Sequence, residues 1–141
     1  LRLTVTSFGS DDSFFFNFSS LFLIIMNPHP DPRSFLGKSV LVRIDRPKGS
    51  KHPTFGDIYP INYGHIPETR SGDGEELDAY ILGVDTPLKE FRGICMAIIH
   101  RTDDDDDKLI VAPSGMNFTD EEIQKQTYFQ EQYFESVIWR K

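Results

Sequence analysis

Short aliphatic segments, separated by loops rich in glycine, proline or acidic residues, are the feature that most restricts how this chain can fold. In the first segment, residues 39–45, Val40, Val42 and Ile44 share one face and Arg43 lies on the other, as in a half-buried strand. The further strand candidates are residues 58–64, 77–84, 93–99 and 109–112. Short strands that follow one another this closely predict a meander or a small barrel.

The sequence changes its period at residue 119. Thr119 and Glu122 match a capping box, and Phe129, Tyr133 and Val137 then recur every four residues. This pattern predicts one C-terminal amphipathic helix that covers the sheet with the four-residue stripe. The predicted fold class is therefore mainly β (α+β), with a single terminal helix.

Charge restricts the partners of the chain. Its 141 residues form one globular domain by size and composition, and 15 basic against 22 acidic residues leave a net charge of −7. An acidic chain does not follow a phosphate backbone, so we expect no nucleic-acid partner. A phosphate ligand would need a divalent cation beside it.

Cys95 is the only cysteine, which excludes an internal disulfide and a cysteine-based zinc site and fits a cytoplasmic location. The apolar run of residues 21–26 is too short to cross a bilayer, and the sequence contains no run of about 20 apolar residues. We therefore expect no membrane partner.

Residues 1–26 differ in composition from the rest of the chain. They contain six of the 12 phenylalanines, and Arg2 against Asp11 and Asp12 gives a local charge of −1. Because Met26 is the first methionine, we expect residues 1–26 to be a non-native or mis-started leader and residues 27–141 to be the domain. An added strand that packs on the domain and a membrane-adhering segment are the alternatives.

The segment from Asp73 to Asp78 reads Asp-Gly-Glu-Glu-Leu-Asp and crowds carboxylates into a loop that leads into a strand candidate. Crowded carboxylates repel one another unless a cation lies among them. Oxygen-only ligands favour a hard ion, and Mg2+ is the first candidate because it is often held by carboxylates together with substrate phosphates. An ordinary solvated acidic loop is the alternative.

A second acidic run, residues 103–107, precedes Lys108 between two strand candidates. Alone it would be a solvated hairpin tip that resists edge pairing. A small barrel, however, can bring two interstrand loops to one mouth and pool their carboxylates around metal ions. Lys108 would then direct positive charge toward a bound anion.

Two tyrosines, Tyr63 and Tyr133, carry hydroxyls that can donate to phosphate oxygens, although packing of half-buried rings is the commoner role of tyrosine. The chain contains no nucleophile elbow, Walker loop or dinucleotide fingerprint.

Three segments together resemble the family I soluble inorganic pyrophosphatases, in particular the short bacterial pyrophosphatase-like proteins. They are residues 59–67 (YPINYGHIP), 73–78 (DGEELD) and 106–113 (DDKLIVAP), in the family's order and spacing. The resemblance extends over residues 37 to 138. The family's carboxylate signature reads Asp-Gly-Asp-Pro-x-Asp.

The resemblance implies a small five-stranded OB-like barrel with a flanking helix, Mg2+ as cofactor, and hydrolysis of inorganic pyrophosphate to two phosphates. It implies metal binding by four aspartates, which are Asp73, Asp78, Asp103 and Asp106. It implies that Glu75 orients and deprotonates the attacking water. The implied substrate contacts are Tyr63, Lys108 and Tyr133.

The chain also departs from the family. Only 13 residues separate Asp45 from Tyr59, where the family has a strand pair with phosphate-gripping side chains. Our hypothesis is that the basic side chains of this loop replace the lost charge. These are Arg46, Lys48 and Lys51. Phe134 stands where the family has a substrate-binding lysine.

These departures leave other functions open. Because the phosphate-binding segment is shorter, the site is more open and could bind a larger diphosphate, such as a nucleotide derivative. Alternatively, the chain is a non-catalytic module that binds a divalent metal or phosphate, or a barrel whose acidic loops serve only solubility. The resemblance also makes a homo-oligomer plausible.

Overall fold

The structure, a computed structural model, describes residues 31–69, 74–104 and 106–141. The proposed leader, residues 1–26, and its boundary at residue 27 lie outside the described residues, as does Asp73. In the described residues, a 3-10 turn at Pro32–Phe35 precedes six strands and one helix. The elements are β1 (Ser39–Arg46), β2 (Asn62–His65), β3 (Asp78–Ile81), β4 (Glu90–Arg101), β5 (Asp107–Ala112), α1 (Asp120–Glu131) and β6 (Ser136–Trp139).

Five strands close into a barrel in the order β1-β2-β3-β5-β4, with β4 pairing back to β1. All of these pairings are antiparallel except that of β3 with β5, which is parallel. This closed mixed barrel confirms the predicted mainly β fold with a small five-stranded OB-like barrel. The sixth strand, β6, adds to the C-terminal half of β4.

The two parallel strands are buried on both faces. Leu109 and Val111 belong to the cluster inside the barrel, whereas Ile110 between them belongs to the cluster beneath α1, together with Ile123. Every residue of β5 is buried. The sequence of β5 is therefore continuously apolar after Lys108, as expected for a parallel strand covered on both sides.

Gly64 lets β2 approach β1 closely. A Cβ at this position would clash with the backbone carbonyl of Arg43, so only glycine fits. The register shifts here, between Ile44 and Arg46 on β1, and Arg46 then pairs with Tyr63. Glycine at this position thus allows the close pairing of β2 with β1 that sets the position of Tyr63 in the barrel.

The C-terminal prediction was partly wrong. Thr119 caps α1 and the capping box with Glu122 is present, but α1 ends at Glu131. Tyr133 lies beyond the helix and is 71% exposed, and Val137 belongs to β6. The predicted stripe therefore does not form, because residues 136–139 pair with β4 instead of continuing the helix.

The helix covers the barrel with a different stripe. Its buried residues are Ile123, Thr127 and Glu131, which recur every four residues. Within the described ranges, no helix is long and apolar enough to cross a membrane.

Candidate active site

The parallel pairing of β3 with β5 places two charged side chains next to each other. Asp78 begins β3 and pairs in register with Lys108, the second residue of β5. Both strands run in the same direction, so these residues lie at the same end of the barrel. Tyr63 on the neighbouring strand β2 pairs with Tyr80 of β3 and joins them.

The Lys108 ammonium is surrounded by oxygen. Its Nζ lies 2.6 Å from Asp78 Oδ2, 2.9 Å from Asp106 Oδ2 and 3.0 Å from the Tyr63 hydroxyl. The Tyr63 hydroxyl donates to Asp78 Oδ2 at 2.7 Å. One carboxylate from each acidic segment therefore meets the same cation. We call these four residues the Lys108 cluster.

Burial and charge fix the protonation states of Lys108 and Tyr63. Burial of Lys108 works to lower its pKa, but the oxygens of Tyr63, Asp78 and Asp106 outweigh it, and the pKa rises above its ordinary value. Burial raises the pKa of the Tyr63 phenol above its ordinary value. At neutral pH the cluster thus presents an ammonium ion and an intact hydroxyl, both of which can donate to phosphate oxygens.

A second polar network adjoins the first. The Arg101 guanidinium donates to Glu131 through Nε at 3.0 Å and through Nη2 at 2.7 Å. Its Nη1 lies 3.4 Å from Asp106 Oδ2, so Asp106 joins the two networks. Tyr80 donates to Glu131 at 2.6 Å, and the guanidinium stacks 3.6 Å from the centre of the Phe134 ring.

Arg101 and Glu131 adjoin the Lys108 cluster, although neither was predicted as a site residue. Burial of Arg101 works to lower its pKa, but the hydrogen bonds and charge of Glu131 reverse this and raise it. The available signal was the position of Glu131 on the Ile123–Thr127 stripe of α1, since a buried glutamate needs a partner.

A cavity of about 560 Å³ opens beside Lys108. Its polar lining consists of Asp57, Arg101, Lys108 and Gln130. Its aromatic lining consists of His52, Phe55, Tyr59, Phe129, Tyr133 and Phe134. Tyr133, which the sequence predicts as a phosphate contact, therefore shares this cavity with Lys108.

Two other predicted acidic residues, Glu75 and Asp103, lie in loops. Glu75 is exposed in the loop that leads into β3. Asp103 is also exposed, and its carboxylate accepts a hydrogen bond from the backbone N–H of Glu135 at 3.1 Å.

The three basic side chains at and after the end of β1 make different contacts. Lys48 bonds to Asp85 at 2.5 Å and lines a different cavity. Lys51 is exposed and forms an isolated bridge with Ile58. Arg46 donates to the backbone carbonyl of Asp45 at 3.0 Å and also interacts with the phenol of Tyr59, which lines the cavity beside Lys108. Through Tyr59, Arg46 lies close to that cavity.

Within residues 31–69, 74–104 and 106–141, no three His, Cys, Asp or Glu side chains converge into a metal-binding group. Asp78 and Asp106 do converge, on Lys108. Their donors are all oxygen, which suits a hard divalent ion, and one or two carboxylates with substrate phosphates are the usual ligands of Mg2+. The donor chemistry therefore fits such an ion once Lys108 shares its partners with a phosphate.

Residues 40–138 match the family model described as "Pyrophosphatase: Inorganic pyrophosphatase". An inorganic pyrophosphatase of Saccharolobus solfataricus is 38% identical over 60 residues, which cover 40% of this chain and 35% of that protein. The matched region thus spans about a third of the length of this relative.

Solved structures show the same fold. The inorganic pyrophosphatase from Ehrlichia chaffeensis superposes with a TM-score of 0.59 at 17% identity, covering 79% of this chain and 89% of that one. The Helicobacter pylori inorganic pyrophosphatase gives a TM-score of 0.59 at 20% identity, covering 73% and 85%.

Proposed function

Because this chain belongs to the inorganic pyrophosphatase family, we propose that it hydrolyses inorganic pyrophosphate to two phosphates with Mg2+ as its cofactor. The observation that carries the proposal is the Lys108 cluster, in which Asp78, Asp106 and Tyr63 converge on one buried ammonium. Membership of the family confirms the resemblance found in the sequence, and dependence on divalent metal ions is general in this family.

Asp78 and Asp106 are the proposed metal ligands among the described residues, and Asp73 and Asp103 complete the set by resemblance. When bound, Mg2+ neutralises phosphate charge and makes the attacking water more acidic. Phosphoryl transfer depends on positioning and on neutralised charge more than on covalent chemistry by the protein. Clustered carboxylates next to a cation are suited to that task.

Lys108 binds the substrate in this mechanism. Its ammonium has three oxygen partners, and a phosphate oxygen would take the place of one carboxylate, which would then be available to hold a divalent ion. The Tyr63 hydroxyl, held 3.0 Å from Nζ, donates to the same phosphate group. Tyr133 approaches from the cavity side and donates to the other. These donors stabilise the charge that develops on the leaving phosphate.

Glu75 is the proposed general base. It accepts a proton from the attacking water, whose oxygen bonds to one phosphorus while the bond from that phosphorus to the bridging oxygen breaks. The second phosphate leaves with the bridging oxygen, steadied by Lys108. The side chain of glutamate is one methylene longer than that of the family's aspartate. The backbone of Glu75 must therefore lie slightly farther from the attacking water for its carboxylate to reach the same position.

Arg46 is the member of the basic loop that we retain as a candidate substrate contact, because it adjoins Tyr59 at the cavity. Lys48 and Lys51 stay predictions without a contact to the Lys108 cluster. A cytoplasmic location, with the thiol of Cys95 free and buried, and a homo-oligomeric state complete the proposal.

Phosphate release from pyrophosphate, measured with and without Mg2+, tests the proposal. We expect release only with metal, and a fall in kcat of about 100-fold or more for Glu75→Gln, since general acid-base catalysis contributes 10²–10⁴-fold. Glu76→Gln is the matched control. Its carboxylate accepts from the backbone N–H of Glu68 at 3.0 Å, and glutamine keeps that acceptor.

Three results would contradict the proposal. Release that does not need a divalent metal excludes the metal-dependent mechanism. Equal rates for Glu75→Gln and Glu76→Gln exclude Glu75 as the base. Binding of Mg2+ by calorimetry without any phosphate release supports the non-catalytic module instead.

A further inference from the structure

The cavity beside Lys108 does not match inorganic pyrophosphate in its lining. Six of its ten lining residues are aromatic, and the cations among the ten are Lys108 and Arg101. Aromatic faces carry the negative side of the ring quadrupole, so among these residues an anion finds donors only at ring edges and hydroxyls such as that of Tyr133. A volume of about 560 Å³ is also that of pockets for organic molecules, roughly 300–1,000 Å³, whereas pyrophosphate is a small ion that is polar throughout.

The rings form a continuous path that leads to the Lys108 cluster. The centroid of Phe55 lies 4.8 Å from that of His52, and His52 stacks on Tyr59 at 6.3 Å with an interplanar angle of 8°. Tyr59 lies 5.6 Å from Tyr63, whose hydroxyl contacts Lys108. A ligand that lies along this path has an aromatic surface at one end and phosphate-binding donors at the other.

The outer end of the path is held in shape by its own loop. The backbone N–H of His52 donates to the carbonyl of Asp57 at 2.7 Å, and that of Gly56 donates to the carbonyl of His52 at 3.0 Å. The His52 ring accepts from the backbone N–H groups of Thr54 and Phe55 at Nδ1, at 3.1 and 3.2 Å. Because Nδ1 accepts these two hydrogen bonds from its own loop, the orientation of the His52 ring is fixed before any ligand binds.

This preformed platform leaves large apolar surface uncovered. Phe55 is 76% exposed and Tyr133 is 71% exposed, although both line the cavity. Polar groups lie among the rings, since Asp57 and Gln130 also line it. A planar group with polar edges would cover the rings and meet these polar side chains, whereas a hydrocarbon tail would leave them desolvated and unpaired.

We infer that this cavity binds the nucleoside part of a nucleoside diphosphate, with the base on the His52–Phe55 platform and the diphosphate at Lys108. The inference rests on the proposed function, because both substrates use the Lys108 cluster. Hydrolysis of the nucleoside diphosphate follows the same bond changes as hydrolysis of pyrophosphate. Water oxygen bonds to the terminal phosphorus, the bond from that phosphorus to the bridging oxygen breaks, and a nucleoside monophosphate and phosphate leave.

Binding of ADP with Mg2+ by isothermal titration tests the inference, measured in the Glu75→Gln background to prevent turnover. Phe55→Ala in this background should weaken ADP binding about 10-fold, a typical effect of removing one base-aromatic stack, and leave pyrophosphate binding unchanged. Phe55→Trp should retain the affinity for ADP. Ile58→Ala is the matched control, because Ile58 is 50% exposed on the same loop but does not line the cavity.

The inference is overturned if Phe55→Ala binds ADP as tightly as its parent, if Phe55→Ala weakens pyrophosphate equally, or if geranyl diphosphate binds as tightly as ADP. The two proposals fail separately. Metal-dependent release from pyrophosphate without ADP binding overturns this inference alone. ADP binding that depends on Phe55, in a protein that releases no phosphate from pyrophosphate, overturns the proposed function alone.

Discussion

Lys108 and Arg101 are two equally buried cations with different surroundings. Their side chains are 4% and 5% exposed. Lys108 contacts one oxygen each of Asp78 and Asp106, which are 29% and 12% exposed. Arg101 instead makes two hydrogen bonds to Glu131, which is 8% exposed, and stacks on a ring.

This difference shows that burial alone does not distinguish a functional cation from a structural one. Single contacts to partly exposed carboxylates can be exchanged for a phosphate or a metal ion. A guanidinium that makes two hydrogen bonds to one carboxylate has a specific geometry. Such a pair does not exchange its partner for a phosphate or a metal ion. In our account, Lys108 therefore serves binding and catalysis, while Arg101 fastens α1 to β4 and steadies Asp106.

The largest effect should come from Lys108→Met. Removing this ammonium should lower kcat/KM for pyrophosphate by about 100- to 1,000-fold, as is typical when one charge-stabilising donor is lost. Thermal unfolding should show a smaller loss of stability than for Arg101→Met, because Asp78 can hydrate. A variant that keeps its activity, or loses stability instead, would remove the distinction between the two cations.

Arg101→Met should have the opposite profile. It leaves the Glu131 carboxylate buried without its cation, which typically costs 3–5 kcal/mol of unfolding free energy. Urea unfolding would measure this loss. In the double variant Arg101→Met/Glu131→Gln most of the stability should return, since glutamine is neutral and still accepts from the Tyr80 hydroxyl. Equal destabilisation in the single and double variants would contradict a locked ion pair.

Cys95 adds a third way of burying an ionisable group, which is to keep it neutral. Burial raises the pKa of the Cys95 thiol to about 12. Because the folded state disfavours the thiolate, this contribution to stability is complete below the ordinary pKa of a thiol and is lost as the pH rises toward 12.

The expected effect is at most about 1.4 kcal/mol per pH unit, measured as the slope of unfolding free energy against pH between about 9 and 12. Cys95→Ala should reduce that slope. The native thiol should also react much more slowly with a disulfide reagent at pH 8 than the urea-unfolded chain does. Rapid labelling of the native protein would contradict its burial in the barrel.

Local patterns predicted much of the barrel. The alternation of residues 39–45 agrees with β1, and the aliphatic run of residues 109–112 lies within β5. The C-terminal helix was predicted too long because Phe129, Tyr133 and Val137 happen to recur at a helical spacing. What ends α1 and forms β6 is pairing with β4, such as Ile99 with Ile138, and a single short segment does not reveal such long-range contacts.

The candidate site was predictable where it follows from resemblance and from strand pairing. Asp78, Asp106 and Lys108 meet because β3 and β5 are parallel neighbours. The partner of Lys48, Asp85, lies 37 positions away, and nothing local to the basic loop indicates it. The Arg101–Glu131 pair spans 30 positions and needs the tertiary structure for the same reason.

A magnesium titration of phosphate release from pyrophosphate, by the parent chain and by Asp78→Asn, tests whether Asp78 holds the metal ion. We expect no release without metal, saturable release with Mg2+, and half-saturation at a concentration about 10-fold or more higher in the variant, as for the loss of a group that sets metal affinity. Release without metal, or the same half-saturation in both proteins, would contradict this expectation.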